Sequence, residues 1–163
     1  MTVFISYRHT DFSIAKAINK KLNEAGIKTY LDKLDLESQT TEDITSVITN
    51  KISQSSHLIA IVSERTALSW WVPFEIGEAT ITGRRIASYQ ADNSKLPEYL
   101  DKWPKMKTEN HLNSFIQEYK DELSFLFENE YLGGEDFMKS FSGNVKNAND
   151  FHQKLKNKIE SNY

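Results

Sequence analysis

Ser56-His57-Leu58-Ile59-Ala60-Ile61-Val62-Ser63 is the stretch that decides the fold. From Leu58 to Val62 no side chain is suited to water, so the run reads as a strand buried on both faces, as in parallel sheets. Such a strand needs helices above and below it, and the sequence supplies them on either side. Upstream, Val3 to Tyr7 is β-branched and aromatic and predicts a first strand. Ile14, Ile18 and Leu22 then recur at i, i+4 and i+8, predicting a helix to about Ala25 with Asp11 or Ser13 as its cap and Gly26 as its terminating glycine. Ile27 to Leu31 is a second strand, and Asp32 to Thr40 a polar loop. A second helix opens at Thr40 or Thr41 with Ile44, Val47, Ile48 and Ile52 as its stripe. Downstream, a helix is expected over about Ser69 to Thr82, stopped by Gly83, and Ile86 to Tyr89 as a fourth strand.

Strand and helix alternate three times within roughly the first ninety residues, which argues for a parallel sheet with helices on both faces and right-handed crossovers. Beyond Gln90 the segments Lys95–Leu100 and Trp103–Met106 suggest a turn and a short edge strand. Leu112, Phe115, Ile116, Tyr119, Leu123 and Leu126 have helical spacing within His111–Phe127, a helix whose Lys/Glu-rich side is expected to be solvated. A terminal helix over Asn147–Ser161 would carry Phe151, Leu155 and Ile159. The expected organisation is an α/β domain over residues 1–127 and a helical C-terminal extension over 128–163.

Composition narrows the function. The 163 residues carry a net charge of -3, without the basic excess that nucleic-acid binding usually leaves. There is no cysteine, so disulfides and thiol chemistry are out, which suits a reducing cytoplasm. His9, His57, His111 and His152 are scattered without zinc-ligand spacing. No apolar run has the length of a membrane span, and strand character begins almost at Met1, so nothing is expected upstream if that is the natural start. The glycine-rich phosphate loops of dehydrogenases and NTPases do not occur.

The candidate site lies in Ser69-Trp70-Trp71-Val72-Pro73-Phe74-Glu75-Ile76-Gly77-Glu78-Ala79. Trp71 and Glu75 are four apart, on one helix face, one turn from each other. They follow the carboxyl end of a buried strand, where ligands bind in open α/β sheets. Taken alone, Glu75 would read as a solvated helix residue. Trp70 is expected to anchor the helix on the sheet, Trp71 either to anchor it or to wall a pocket, and Glu78 to be solvated. Tyr7, Arg8 and His9 end the first strand at the same edge, where Arg8 either grips a pyrophosphate or is an exposed loop charge. Asp32 and Lys33 end the second strand there, touching ribose or adenine or capping the turn.

Four blocks, Phe4-Ile5-Ser6-Tyr7-Arg8, Gly26-Ile27-Lys28-Thr29-Tyr30-Leu31-Asp32, Leu58-Ile59-Ala60-Ile61-Val62-Ser63 and Ser69-Trp70-Trp71 to Glu75, occur in one order and at a spacing that resembles a TIR (Toll/interleukin-1 receptor) domain. The resemblance covers about residues 2 to 90, and 91 to 127 by position. It implies a flavodoxin-like three-layer sandwich with a five-stranded parallel sheet, TIR–TIR self-association, and, in catalytic members, cleavage of the nicotinamide–ribose bond of NAD+. In those members the glutamate of the Trp-x-x-x-Glu pattern is the essential acid; here it is Glu75. NAD+ enters as substrate, and neither a cofactor nor a metal is implied. The family's loop after the second strand usually carries a glycine, whereas this one reads Asp35-Leu36-Glu37-Ser38-Gln39-Thr40-Thr41.

The chemistry suits a single acid. Nicotinamide leaves NAD+ as a neutral base, so the barrier lies in the oxocarbenium-like charge left on the ribose, which one carboxylate can stabilise. Tyr7, Arg8, His9, Asp32, Lys33 and Trp71 are the candidate substrate-binding residues around Glu75. The implied function is an NAD+ glycohydrolase or ADP-ribosyl cyclase, resembling the TIR component of bacterial Thoeris-type antiphage systems, which signal to a separate effector through a nucleotide. The alternatives are a non-catalytic TIR–TIR adaptor, against which the acid counts, and a host-directed effector. A response-regulator receiver shares the fold but needs acids where Tyr7-Arg8 and Ser63 stand.

Overall fold

In the computed structural model, residues 1–31, 41–66, 70–129 and 145–161 are described. β1 (Val3–Ser6), α1 (Phe12–Glu24), β2 (Thr29–Leu31), α2 (Thr41–Gln54), β3 (His57–Val62), α3 (Trp71–Ile81), β4 (Arg85–Gln90), β5 (Lys105–Met106), α4 (Glu109–Asn129) and α5 (Val145–Glu160) follow one another along the chain. The five strands form one sheet in the order β2-β1-β3-β4-β5, every neighbouring pair parallel. This is the flavodoxin-like order, in which the chain leaves β1 in one direction and returns past it to β3.

Side-chain alternation along the strands divides the core in two. Val3, Ile5, Ile59, Ile61 and Ala87 point to one face, where α1, α4 and α5 bury Ile18, Leu22, Phe115, Tyr119, Phe151 and Leu155 against them. Phe4, Leu58, Ala60, Val62 and Ile86 point to the other, covered by Ile48 and Ile52 of α2 and Val72, Ile76 and Ala79 of α3. Val47, placed by spacing in the α2 stripe, is instead 38% exposed, at the margin of that face. Helices α1 and α3 end alike. Gly26 and Gly83 adopt φ of 78° and 65°. The next amide reaches back to the carbonyl five residues earlier, Ile27 to Leu22 at 2.9 Å and Arg84 to Ala79 at 2.8 Å. These are Schellman closures, for which a glycine in the left-handed region is the natural residue.

At the amino edge of the sheet lies a buried polar cluster that periodicity alone does not reveal. Glu118 and Glu122 belong to the α4 side expected to be solvated, but both turn inward. Glu118 is 3% exposed and meets Lys158 of α5 at 2.7 Å. Glu122 takes two hydrogen bonds from the wholly buried Arg85, at 2.9 and 2.8 Å. His57 Nε2 stands 3.2 Å from the other Glu122 oxygen but off the line of a hydrogen bond. Burial lowers the His57 pKa, outweighing the attraction of Glu122. Burial alone would raise the Glu122 carboxyl, yet His57 and Arg85 together hold it below its usual range.

Helix α5 closes the gap left by a short strand. β5 pairs only with Ser88 and Tyr89, so the Ile86 amide on the same side of β4 has no strand to meet. His152 Nε2 accepts that N–H at 2.8 Å, which requires the neutral ring. Among the described residues no helix is long and apolar enough to cross a membrane.

Two outcomes follow from this packing. Burial first, then the charges of His57, Lys156, Arg85 and Lys102, push the His152 pKa from 6.5 down to about 4. Between those values the unfolded chain binds more protons than the folded one, so stability should fall as pH drops from 6.5 toward 4. Chemical denaturation across that window is expected to show this slope, and His152→Gln, which keeps an acceptor but does not titrate, to lessen it, leaving the shares of His57 and His111, whose pKa values burial also lowers; an unchanged slope would count against the assignment. Leu155→Ala, at a wholly buried site on α5, should cost about 2–5 kcal/mol in the same measurement.

Candidate active site

The carboxyl ends of β1 and β3 are neighbours, and the connections leaving them lie on opposite faces, opening a crevice between. Ser6 ends β1. By alternation it shares the face of Phe4, the face on which α3 packs. Its hydroxyl donates a hydrogen bond to Glu75 Oε2 across the crevice. Glu75 is 7% exposed, so it is not the solvated helix residue it would be in isolation. Its sequence carried the signal: Val72, Glu75, Ile76 and Ala79 together form the buried stripe of α3, with the acid inside an apolar row. Pro73 is tolerated because it falls in the first turn, where an amide has no helical partner to lose.

The two indoles divide their roles differently from expectation. Trp71 is half-buried and packs against the apolar cluster of the α2/α3 face, edge-on to Phe74 with centroids 5.8 Å apart. Trp70, expected to anchor the helix, is 60% exposed and stacks on Trp71 with centroids 4.0 Å apart and planes at 27°. It sits at the position before the first helical residue, where the stripe has not yet begun. An aromatic ledge therefore leads from solvent to the turn that carries Glu75.

The β1–α1 connection forms the opposite lip. Arg8 is half-buried, and its guanidinium Nη1 donates to the Arg65 carbonyl in the β3–α3 connection. His9 is exposed. Tyr7, one residue beyond Ser6, follows the alternation to the other face, where it packs against the α1/α4/α5 cluster and lies 6.0 Å from the Phe12 ring. The structure thus brings Glu75, Trp71 and Arg8 to one edge and turns the Tyr7 ring away from it. Asp32 and Lys33, and the glycine-less loop 35–40, lie outside the described residues.

Sequence reasoning missed a second buried acid. Asp11, which with Ser13 was one of two expected caps of α1, makes no side-chain cap bond. Its Oδ2 instead accepts hydrogen bonds from Ser63 Oγ at 2.9 Å and Thr66 Oγ1 at 3.1 Å, and all three residues are buried. A groove of about 670 Å³ between α1, the end of β4 and the start of α4 is a separate feature. Ile14, Ile18, Tyr89 and Leu112 line it, on the face away from Glu75, and none of the expected site residues does.

Comparison with known proteins agrees with this architecture. A protein named "Putative cyclic ADP-D-ribose synthase TIR2", from Cytobacillus dafuensis, is 29% identical over 89 residues, or 52% of this chain and 24% of that protein. The match thus spans about a quarter of that relative's length. Among solved structures, the 2-deoxyribosyltransferase of Bacillus psychrosaccharolyticus superposes with a TM-score of 0.54 at 11% identity, over 66% of this chain and 87% of its own, a likeness of fold alone. The TIR domains of the activated Roq1 resistosome, which recognises the pathogen effector XopQ, give a TM-score of 0.44 at 17% identity over 99% of each chain. A family model described as TIR domain matches residues 3–96, more than half of the 163, and takes in β1 through β4 with Glu75 among them; the chain belongs to the TIR domain family.

Proposed function

We propose that this chain consumes NAD+ by breaking its nicotinamide–ribose bond, with Glu75 as the carboxylate that faces the ribose. The observation that carries the reading is a carboxylate 7% exposed within an apolar helix stripe, held by Ser6 at the crevice between β1 and β3. Membership of the TIR family supports it, as does the name "Putative cyclic ADP-D-ribose synthase TIR2" that the Cytobacillus relative carries.

The chemistry is simple in its electron flow. The C1′–N bond breaks with its electron pair passing to the pyridinium nitrogen, and nicotinamide leaves neutral. Positive charge remains on the ribose, and a carboxylate in a site poor in water stabilises it far more than it would in bulk. Water then captures C1′ to give ADP-ribose and a proton, or a nucleophilic group of the same or another molecule captures it to give a cyclic or conjugated product. The Ser6 hydroxyl fixes the Glu75 rotamer, and the Trp70–Trp71 ledge offers flat apolar surface to a planar base. Arg8, with His9 beside it, supplies cationic and polar groups at the mouth for the pyrophosphate. Self-association through TIR–TIR contacts, signalling to a separate effector and a role in antiphage defence in the cytoplasm belong to this proposal.

The test is product analysis. Purified chain incubated with NAD+ at several protein concentrations, with and without crowding agent, is expected to release nicotinamide. Glu75→Gln should reduce that release by at least about 10²-fold, the scale of losing a group that stabilises transition-state charge. The amide oxygen still accepts from Ser6, so the thermal midpoint should hold. A wild type inert under all those conditions would favour the adaptor reading, and a glutamine variant with near wild-type turnover would remove Glu75 from the chemistry.

A further inference from the structure

Two connections border the Glu75 crevice, and they share one buried acceptor. Asp11 begins α1, while Ser63 and Thr66 bound the turn that leaves β3. The Asp11 carboxylate takes both hydroxyls on a single oxygen. Thr66 Oγ1 also accepts the Ser63 amide at 3.0 Å, and the Thr66 amide returns to the Ser63 carbonyl at 3.0 Å. A second tie runs the same way, from Arg8 to the Arg65 carbonyl. On its far side the turn is held by Asp92, whose carboxylate accepts the Glu64 amide at 2.8 Å.

We propose that Asp11 is a positioning residue: through Ser63 and Thr66 it locks the β1–α1 connection and the Ser63–Thr66 turn after β3 into one wall, and so sets where substrate rests above Glu75. The assignment rests on the NAD+-cleaving reading for its kinetic consequence, though not for its structural one. Burial makes the lock directional, because a carboxylate withdrawn from water gains most from fixed donors and leaves them costly to part. Glu75 itself does not depend on it. The helix that carries Glu75 is packed by Val72, Ile76 and Ala79, and Ser6 orients its carboxylate from the strand. Loosening the wall therefore removes binding common to ground and transition states, which raises KM and spares kcat.

The experiment compares Asp11→Ala, Asp11→Asn and Leu155→Ala with wild type. Asp11→Ala should raise KM for NAD+ by at least about tenfold with kcat changed less than about threefold. Asp11→Asn, whose amide oxygen can accept both hydroxyls, should keep KM within about threefold of wild type. Leu155→Ala, remote on the other face, should lower the thermal midpoint without moving KM, and so controls for destabilisation. An Asp11→Ala protein that behaves as Leu155→Ala does would overturn the proposal. Should Asp11→Ala not fold, Thr66→Val removes one donor and is expected to raise KM by about threefold or more; no rise would overturn it equally.

A readout independent of turnover separates this proposal from the functional one. The Ser63 amide meets Thr66 Oγ1 and the Thr66 amide meets the Ser63 carbonyl within the locked turn, so hydrogen exchange at these two amides reports its order. Exchange should quicken by at least about tenfold in Asp11→Ala and stay within about threefold of wild type in Asp11→Asn and Leu155→Ala. If wild type cleaves no NAD+, the functional reading falls while the exchange rates still decide the lock; rates unchanged in Asp11→Ala would end it.

Discussion

The pairing of β1 with β3 is the constraint on which the rest of the molecule depends. Val3 to Ser6 lie beside His57 to Ala60 in strict parallel register. Because β2 sits on the other side of β1, the chain crosses behind the strand it has just left, and the two connections diverge to opposite faces. That divergence leaves an open crevice at the carboxyl edge without any carving by loops. Register also decides which side chain enters it. Ser6 reaches Glu75 because it shares parity with Phe4; a slip of one residue would present Tyr7 to α3 and carry the hydroxyl to the other face.

The two ends of the sheet are built to different purposes. At the amino edge, Arg85, Glu122, His57 and His152 form a polar cluster closed over by α4 and α5, with an aromatic surround of Phe115, Tyr119 and Phe151. Those groups meet one another, and their consequence is stability and its dependence on pH. At the carboxyl edge, buried acids sit beside exposed groups, with Arg65, His9 and Trp70 open to solvent. Fixed partners below and reachable ones above are what the proposed substrate site asks of the carboxyl edge.

How much of this could be read from the chain depended on the kind of signal. The parallel sheet followed from β3, since five apolar residues in a row admit few settings, and the helices from stripes such as Ile14, Ile18 and Leu22; the flavodoxin-like arrangement came only with the family resemblance. Phe151, Leu155 and Ile159 were found the same way, and all three are buried. The roles of polar residues were harder to see, because a polar side chain is read as solvated unless something distant meets it. Asp11 was assigned to its own helix end, yet its partners are 52 and 55 residues away. Glu122 was placed on a wet face, yet Arg85, 37 residues away, draws it in. Trp70 failed for the opposite reason: size suggested an anchor, but its position ahead of the first turn put it outside the stripe.

Glu75 shows why a misfit within a pattern says more than the pattern itself. The row Val72, Glu75, Ile76, Ala79 faces the sheet, and a leucine in its second place would satisfy packing, helix propensity and solvation together. A carboxylate there is disfavoured on two of those counts, since withdrawing it from water costs several kcal/mol unless donors replace the lost solvent. Ser6 is one such donor, but a serine ending a strand of otherwise apolar residues is itself a departure from the best core. Two departures, 69 residues apart in sequence, meet in one hydrogen bond at the ligand edge of the sheet. Stability would favour neither residue where it stands, and each makes sense only with the other. Local rules that fail in concert at a topological switch point fit a group held ready for something from outside, and that is the role proposed for Glu75.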